Sequence, residues 1–178
     1  MVKSPGDALL VAARILIVLI VTILVVSLVA VGIGIGVLLS IGQNKVYELI
    51  SKAGAPEEAF WVVIAGFALG MVAIGFAASF FRVLHQIILS VDHGDPFAPA
   101  NADRLRRMGW LGVGGQLILL PTGAIVAWVA PYLRKLGEPV DIDLGLDPAA
   151  ILLILVLFIL ARVFERGAAM QTDLEGTV

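Results

Sequence analysis

Residues 15–44 read ILIVLIVTILVVSLVAVGIGIGVLLSIGQN, and nothing between Arg14 and Lys45 carries a charge. A bilayer's hydrocarbon core is about 30 Å thick and takes roughly 17–25 apolar residues of helix to cross. The stretch meets that length unbroken. It also sets how the rest is read, because the pattern recurs. Uncharged runs lie between Glu58 and Arg82, between Arg107 and Arg134, and, shorter, between Asp147 and Arg162. The expected fold is an all-α membrane protein, with four transmembrane helices in an antiparallel bundle. The expected spans are residues 14–40, 57–81, 108–133 and 146–164.

Composition agrees. Hydrophobic residues make up 60% of the chain and charged residues 15%, whereas a soluble domain carries about 25% charged residues to face water. The 178 residues suffice for a single four-helix domain with short loops, a cytoplasmic loop at 82–107 and a short tail at 167–178. The chain has no cysteine, which excludes disulfides and thiolate metal sites. The first run is too long for the apolar region of a signal peptide, and no small-residue cleavage site follows Gln43. It reads as a retained helix.

Lys and Arg distinguish the two faces. Lys3, Arg14, Arg82, Arg104, Arg106, Arg107, Arg162 and Arg166 fall on one side, and Lys45, Lys52, Arg134 and Lys135 on the other. The poorer side also holds Glu48, Glu57, Glu58, Glu138, Asp141, Asp143 and Asp147. The positive-inside rule puts both termini and the middle loop in the cytoplasm.

Gly32 with Gly36, and Gly66 with Gly70, have the small-xxx-small spacing that lets helices approach closely. Packing within the bundle is the plainer reading, and a homo-oligomer seam the sharper one. Beyond Arg82 the second helix turns amphipathic. Leu84, Ile87, Ile88 and Val91 share one face at helical spacing, which makes them candidates for docking a partner, with Gly94 a natural stop. Pro99 suits the first turn of the third helix. Trp110 is expected at the inner interface, with Trp128 and Tyr132 at the outer one. Pro121 should kink that helix; Gln116 and Thr122 should face the bundle. Asp147 and Pro148 can start the fourth helix. Arg162 can snorkel to lengthen its short span; a re-entrant segment is the alternative. From Ala168 onward the polar tail is expected to be loosely structured.

Chemistry is sparse. No ionisable residue lies deep in a run, which argues against ion-coupled transport. Gln116, Thr22, Ser27 and Thr122 are compatible with a passive pore, though interhelical hydrogen bonding explains them more simply. His85, Asp92, His93 and Asp95 are metal-ligand types at poor spacing for zinc. Asp141, Asp143 and Asp147 alternate like a calcium loop but lack its closing Glu. No nucleophile elbow or phosphate loop occurs. The expectation is no enzyme, no cofactor, no metal and no direct contact with nucleic acid.

Two segments carry a family resemblance. One is Gly94-Asp95-Pro96-Phe97 followed by Asn101, Leu105, Arg106 and Gly109-Trp110. The other is Leu160-Ala161-Arg162-Val163-Phe164-Glu165-Arg166-Gly167, then Met170 and Asp173-Leu174-Glu175-Gly176-Thr177-Val178. Together they resemble the small bacterial four-helix membrane proteins of domain-of-unknown-function family 2975. Members are often encoded beside a small helix-turn-helix DNA-binding protein. The resemblance therefore implies a cytosolic partner under the membrane protein's control. It adds Asp95, Pro96, Phe97, Asn101, Arg106, Arg162, Phe164, Arg166 and Asp173 to the docking candidates. A plainer reading is that Phe97 buries against the helix feet and Asp95 or Asp173 pairs with Arg106, Arg162 or Arg166. The competing functions are a small transporter or channel for a neutral solute, and an accessory subunit of a membrane complex.

Overall fold

A computed structural model describes the backbone of residues 5–92, 98–137, 139–140 and 146–175, and the side chains of those from residue 10 to residue 170. All regular structure among them is helical. Helix α1 runs from Pro5 to Val37 and passes through one π-helical turn, Leu38–Gly42, into α2, Gln43–Ala53. Helix α3 spans Ala59–Asp92, α4 Pro99–Lys135 and α5 Pro148–Glu175.

Four helical segments are long and apolar enough to cross a membrane: Leu10–Ala53, Ala59–Asp92, Pro99–Lys135 and Pro148–Met170. Their large apolar side chains, such as Ile15, Ile33, Leu152 and Leu155, stay exposed. Water would not tolerate that, whereas lipid solvates it while each helix satisfies its own backbone. On α4, Trp110 and Trp128 sit about 27 Å apart along the axis at 1.5 Å per residue. That is close to the hydrocarbon thickness, so both ends of this 37-residue helix extend past it.

The bundle is open. Among the described residues, α1 comes within 8 Å of α3, Cα to Cα, and of neither α4 nor α5. By the same measure α3 reaches α4, α4 reaches α5, and α3 and α5 stay apart. The spanning helices thus stand in the series α1, α3, α4, α5.

The glycines used at these seams differ from those expected. A Cβ added to Gly32 would touch Met71 at 3.7 Å, and one on Gly66 would touch Ile125 at 3.3 Å, but Gly36 and Gly70 face open space. The close approaches lie on α4. A Cβ on Gly109 would sit 2.8 Å from Phe158 Cζ, and one on Gly112 2.7 Å from Ile154 Cγ1. Gly114 lies beneath Phe76 of α3.

The starts of α4 and α5 follow the sequence signals. Pro99 occupies the first turn of α4. Asp147 caps α5, its Oδ1 accepting the Ala149 N–H at 2.9 Å. Helix α5 is continuous through Arg162 and long and apolar enough to cross a membrane, and it does not loosen after Gly167. The chain stays helical to Glu175, because Ala168 is buried and its packing outweighs the low helix propensity of Gly167.

Helix α2 was not anticipated. Val46, Leu49, Ile50 and Ala53 fall at positions i, i+3, i+4 and i+7, an apolar stripe at helical period. Ile50 packs with Ala59 and with Phe60, which is 1% exposed. The Tyr47 ring stacks on Phe60 at 5.0 Å between centroids. Gly54 ends the helix at φ 64°, its N–H returning to the Ile50 and Ser51 carbonyls, a left-handed cap that glycine adopts without strain.

Candidate functional site

The end of the molecule that carries Arg82, Arg104, Arg106, Arg107, Arg162 and Arg166 is built on an apolar junction. Val83 of α3, Leu105 and Met108 of α4, and Leu157 and Ala161 of α5 form one buried cluster. Phe80, Leu84, Ile87, Leu111 and Phe164 pack around it. Two of the four apolar docking candidates, Leu84 and Ile87, are therefore committed to the protein's own packing, and Ile88 and Val91 are half-buried. The amphipathic stretch is helical as expected, but Leu84 and Ile87 of its apolar face pack against the buried cluster rather than standing free. Phe164 likewise packs inward.

Asn101 is the polar centre of this end. It is fully buried, and a buried amide is costly unless its hydrogen bonds are made. Its Nδ2 donates to Ser90 Oγ of α3 at 2.7 Å. Ser90 Oγ can in turn donate to the Ile87 carbonyl at 2.7 Å. Arg104 Nη1 donates to Asn101 Oδ1 at 2.8 Å, and the Asn101 backbone N–H donates to the Ala98 carbonyl. One side chain thus ties the end of α3 to the first turn of α4.

Arg106 ties α4 to α5. Its Nη2 bonds Glu165 Oε2 at 3.1 Å, and its Nη1 bonds Asp103 Oδ1 at 3.2 Å. Arg162 and Arg166 are exposed and form no ion pair among the described residues. Trp110, 64% exposed, meets Phe158 edge-on at 5.5 Å. Asp95, Pro96 and Phe97 lie outside the described residues, as do His93 and the side chain of Asp173. The proposed pairing of Asp95 or Asp173 with arginine therefore falls outside them too. Asp141 and Asp143 are likewise outside.

Ser90 and Glu165 complete this site and were not singled out from sequence. Ser90 sits on the helix flank beside Ile87 at i+3, and Glu165 stands one turn beyond Ala161. Both are ordinary helix-surface residues until the neighbouring helix is placed.

The polar residues within the spans do not converge. The hydroxyls of Thr22, Ser40, Ser79 and Thr122 each donate to the carbonyl four residues back in their own helix. Gln116 Oε1 and His85 Nδ1 are buried without a hydrogen-bond partner, on different helices. Among the described residues no three His, Cys, Asp or Glu side chains gather as metal ligands.

Comparison with known proteins gives one family match. The family model described as "Protein of unknown function (DUF2975)" matches residues 45–178. The match begins in the first turn of α2 and leaves α1 outside it. No curated protein matches, and no solved structure does.

Proposed function

The chain belongs to the DUF2975 family, and from the build of its arginine-rich end we propose that it is a non-enzymatic membrane protein regulating a small cytosolic helix-turn-helix DNA-binding partner. In this reading it sits in a bacterial cytoplasmic membrane as an antiparallel bundle. Both termini and the 82–107 segment face the cytoplasm, a topology supported by the distribution of Lys and Arg.

One observation supports the reading best. Three helices carry their charged segments to the arginine-rich end and are fastened there by an apolar cluster, a buried Asn101 network and the Arg106–Glu165 pair. A helix that served only to cross the bilayer would not need such fastening. The rigid base leaves Arg162, Val163, Arg166 and Met170 exposed on α5. A partner is read by these residues and by residues 93–97, rather than by Leu84 and Ile87.

The test is affinity capture of the full-length protein from its host membranes in mild detergent, beside a full-length variant carrying Arg162→Glu and Arg166→Glu. A small helix-turn-helix protein captured by the first and lost from the second supports the reading. Capture of other membrane subunits alone would point to an accessory subunit. Flux of a neutral solute into liposomes would point to a transporter; the self-bonded hydroxyls above weigh against that.

A further inference from the structure

A second feature lies at the opposite end and is independent of the partner reading. An apolar cavity of about 310 Å³ opens between α1, α3 and α4, floored by Gly66 and Gly70 and reaching Ile74 and Thr122. A smaller one of about 160 Å³ lies beneath α2, against Trp128, Tyr132 and Leu136. The two share Val63, Val129 and Leu133 and so form one groove. Along α4 it runs from Thr122 to Leu136, about 21 Å at 1.5 Å per residue. One leaflet's share of the hydrocarbon core is about 15 Å.

The groove has no polar demand along its length. The Thr122 hydroxyl is already bonded to the Ile118 carbonyl, and the other polar groups of the lining, the Tyr132 hydroxyl and the Trp128 N–H, belong to its far end. An apolar space of this kind does not hold water, which needs several polar partners. Its far end is different. Lys135 Nζ stands 5.5 Å from the centre of the Tyr132 ring, and a Cβ on Gly54 would lie 3.9 Å from that Nζ. The cation therefore bridges the ends of α4 and α2 at the groove's mouth, and it makes no ion pair among the described residues. Lys52, nearby in sequence, is paired with Glu48. Arg134 donates to the Val140 carbonyl. Lys135 is left to meet an anion.

We propose that this groove binds the long apolar chain of an anionic single-chain lipid, with α2 as its roof and Lys135 at its head group. A slot lined almost wholly by apolar side chains and longer than a leaflet fits one extended chain. Lys135, placed beside Tyr132 and Gly54 at that end, favours a carboxylate or phosphate head over a neutral one. The π turn at Leu38–Gly42 is where α2 departs from the α1 register to lie over the groove; such turns interrupt helices at functional positions.

The experiment uses the full-length protein in lipid nanodiscs with a diazirine-bearing long-chain fatty acid, beside the matching alcohol. Labelling is expected to concentrate in residues 122–136 and 46–55. Gly70→Leu fills the floor, where a Cβ meets nothing within 4 Å, and should cut labelling roughly tenfold. Gly75→Leu is the control: its Cβ is equally free and Gly75 does not line the groove, so labelling should persist. Lys135→Gln should weaken labelling by the acid and leave the alcohol unchanged. Equal labelling of the Gly70 and Gly75 variants would overturn the site, as would labels spread evenly over exposed faces such as Ile15–Leu19. Acid and alcohol labelling alike in the parent protein would overturn the role of Lys135.

Discussion

Asn101 shows how much one residue can organise where apolar packing alone would leave helices free to slide. Removing it leaves Ser90 and Arg104 without their partner in a buried place. Asn101→Ala should therefore destabilise the protein by about 1–3 kcal/mol, seen as a lowered melting temperature in detergent. Asn101→Asp, which keeps an acceptor for Arg104 and loses the donor to Ser90, should fall between. The Arg106–Glu165 pair belongs to a different class. Both side chains are about half exposed or more, so Glu165→Gln should change the melting temperature little, in keeping with under about 1 kcal/mol for an exposed pair. At Gly112 the limit is volume. Gly112→Val would drive a side chain into Ile154 and cost about 1–3 kcal/mol by overpacking, whereas Gly115→Ala meets open space and gains helix propensity. A melting curve in which the two variants behave alike would contradict the seam.

At the level of the element, the long apolar runs declared α1, α3, α4 and α5, because lipid demands a continuous stretch that no other structure provides. Their caps were legible for the same local reason: Asp147, Pro148 and Pro99 act within a turn of themselves. Helix α2 was hidden although its stripe at 46, 49, 50 and 53 was there to be read. Lys45, Glu48 and Lys52 marked the region as the end of a span, and length drew attention away from period. The extension of α5 past Gly167 was missed because a glycine reads as a stop unless something packs against the next residue. Glycine pairs fared worst. Spacing says that a backbone can be approached, not which helix approaches it, so Gly32, Gly36, Gly66 and Gly70 drew notice that Gly109, Gly112 and Gly114 earned by position. The docking candidates split along the same line. Asn101, Leu84 and Ile87 are taken up by the protein's own packing and Arg106 by its pair with Glu165, since a residue looks the same in sequence whether its own protein or another covers it. For α2, Ile50→Lys should detach its stripe from Phe60, and limited proteolysis should then cut within residues 43–58 where the parent resists.

For the whole molecule, the absence of native cysteine makes orientation directly measurable. A single cysteine at Glu57 should react with a membrane-impermeant maleimide on intact cells, and one at Asp92 only after the membrane is opened. The reverse pattern would invert the proposed topology. The serial arrangement of the helices has its own effect on how the protein comes apart. Each end helix holds to one neighbour, so stability divides among interfaces in a line, as it does in stacked repeats, rather than being shared around a ring. Pulling from the N-terminus should then peel α1 away first as a separate event, with the segment from α2 onward surviving as a unit that yields later and at higher force. A chain built like this loosens from its edges inward and keeps α4, flanked on both sides, as the last part to let go.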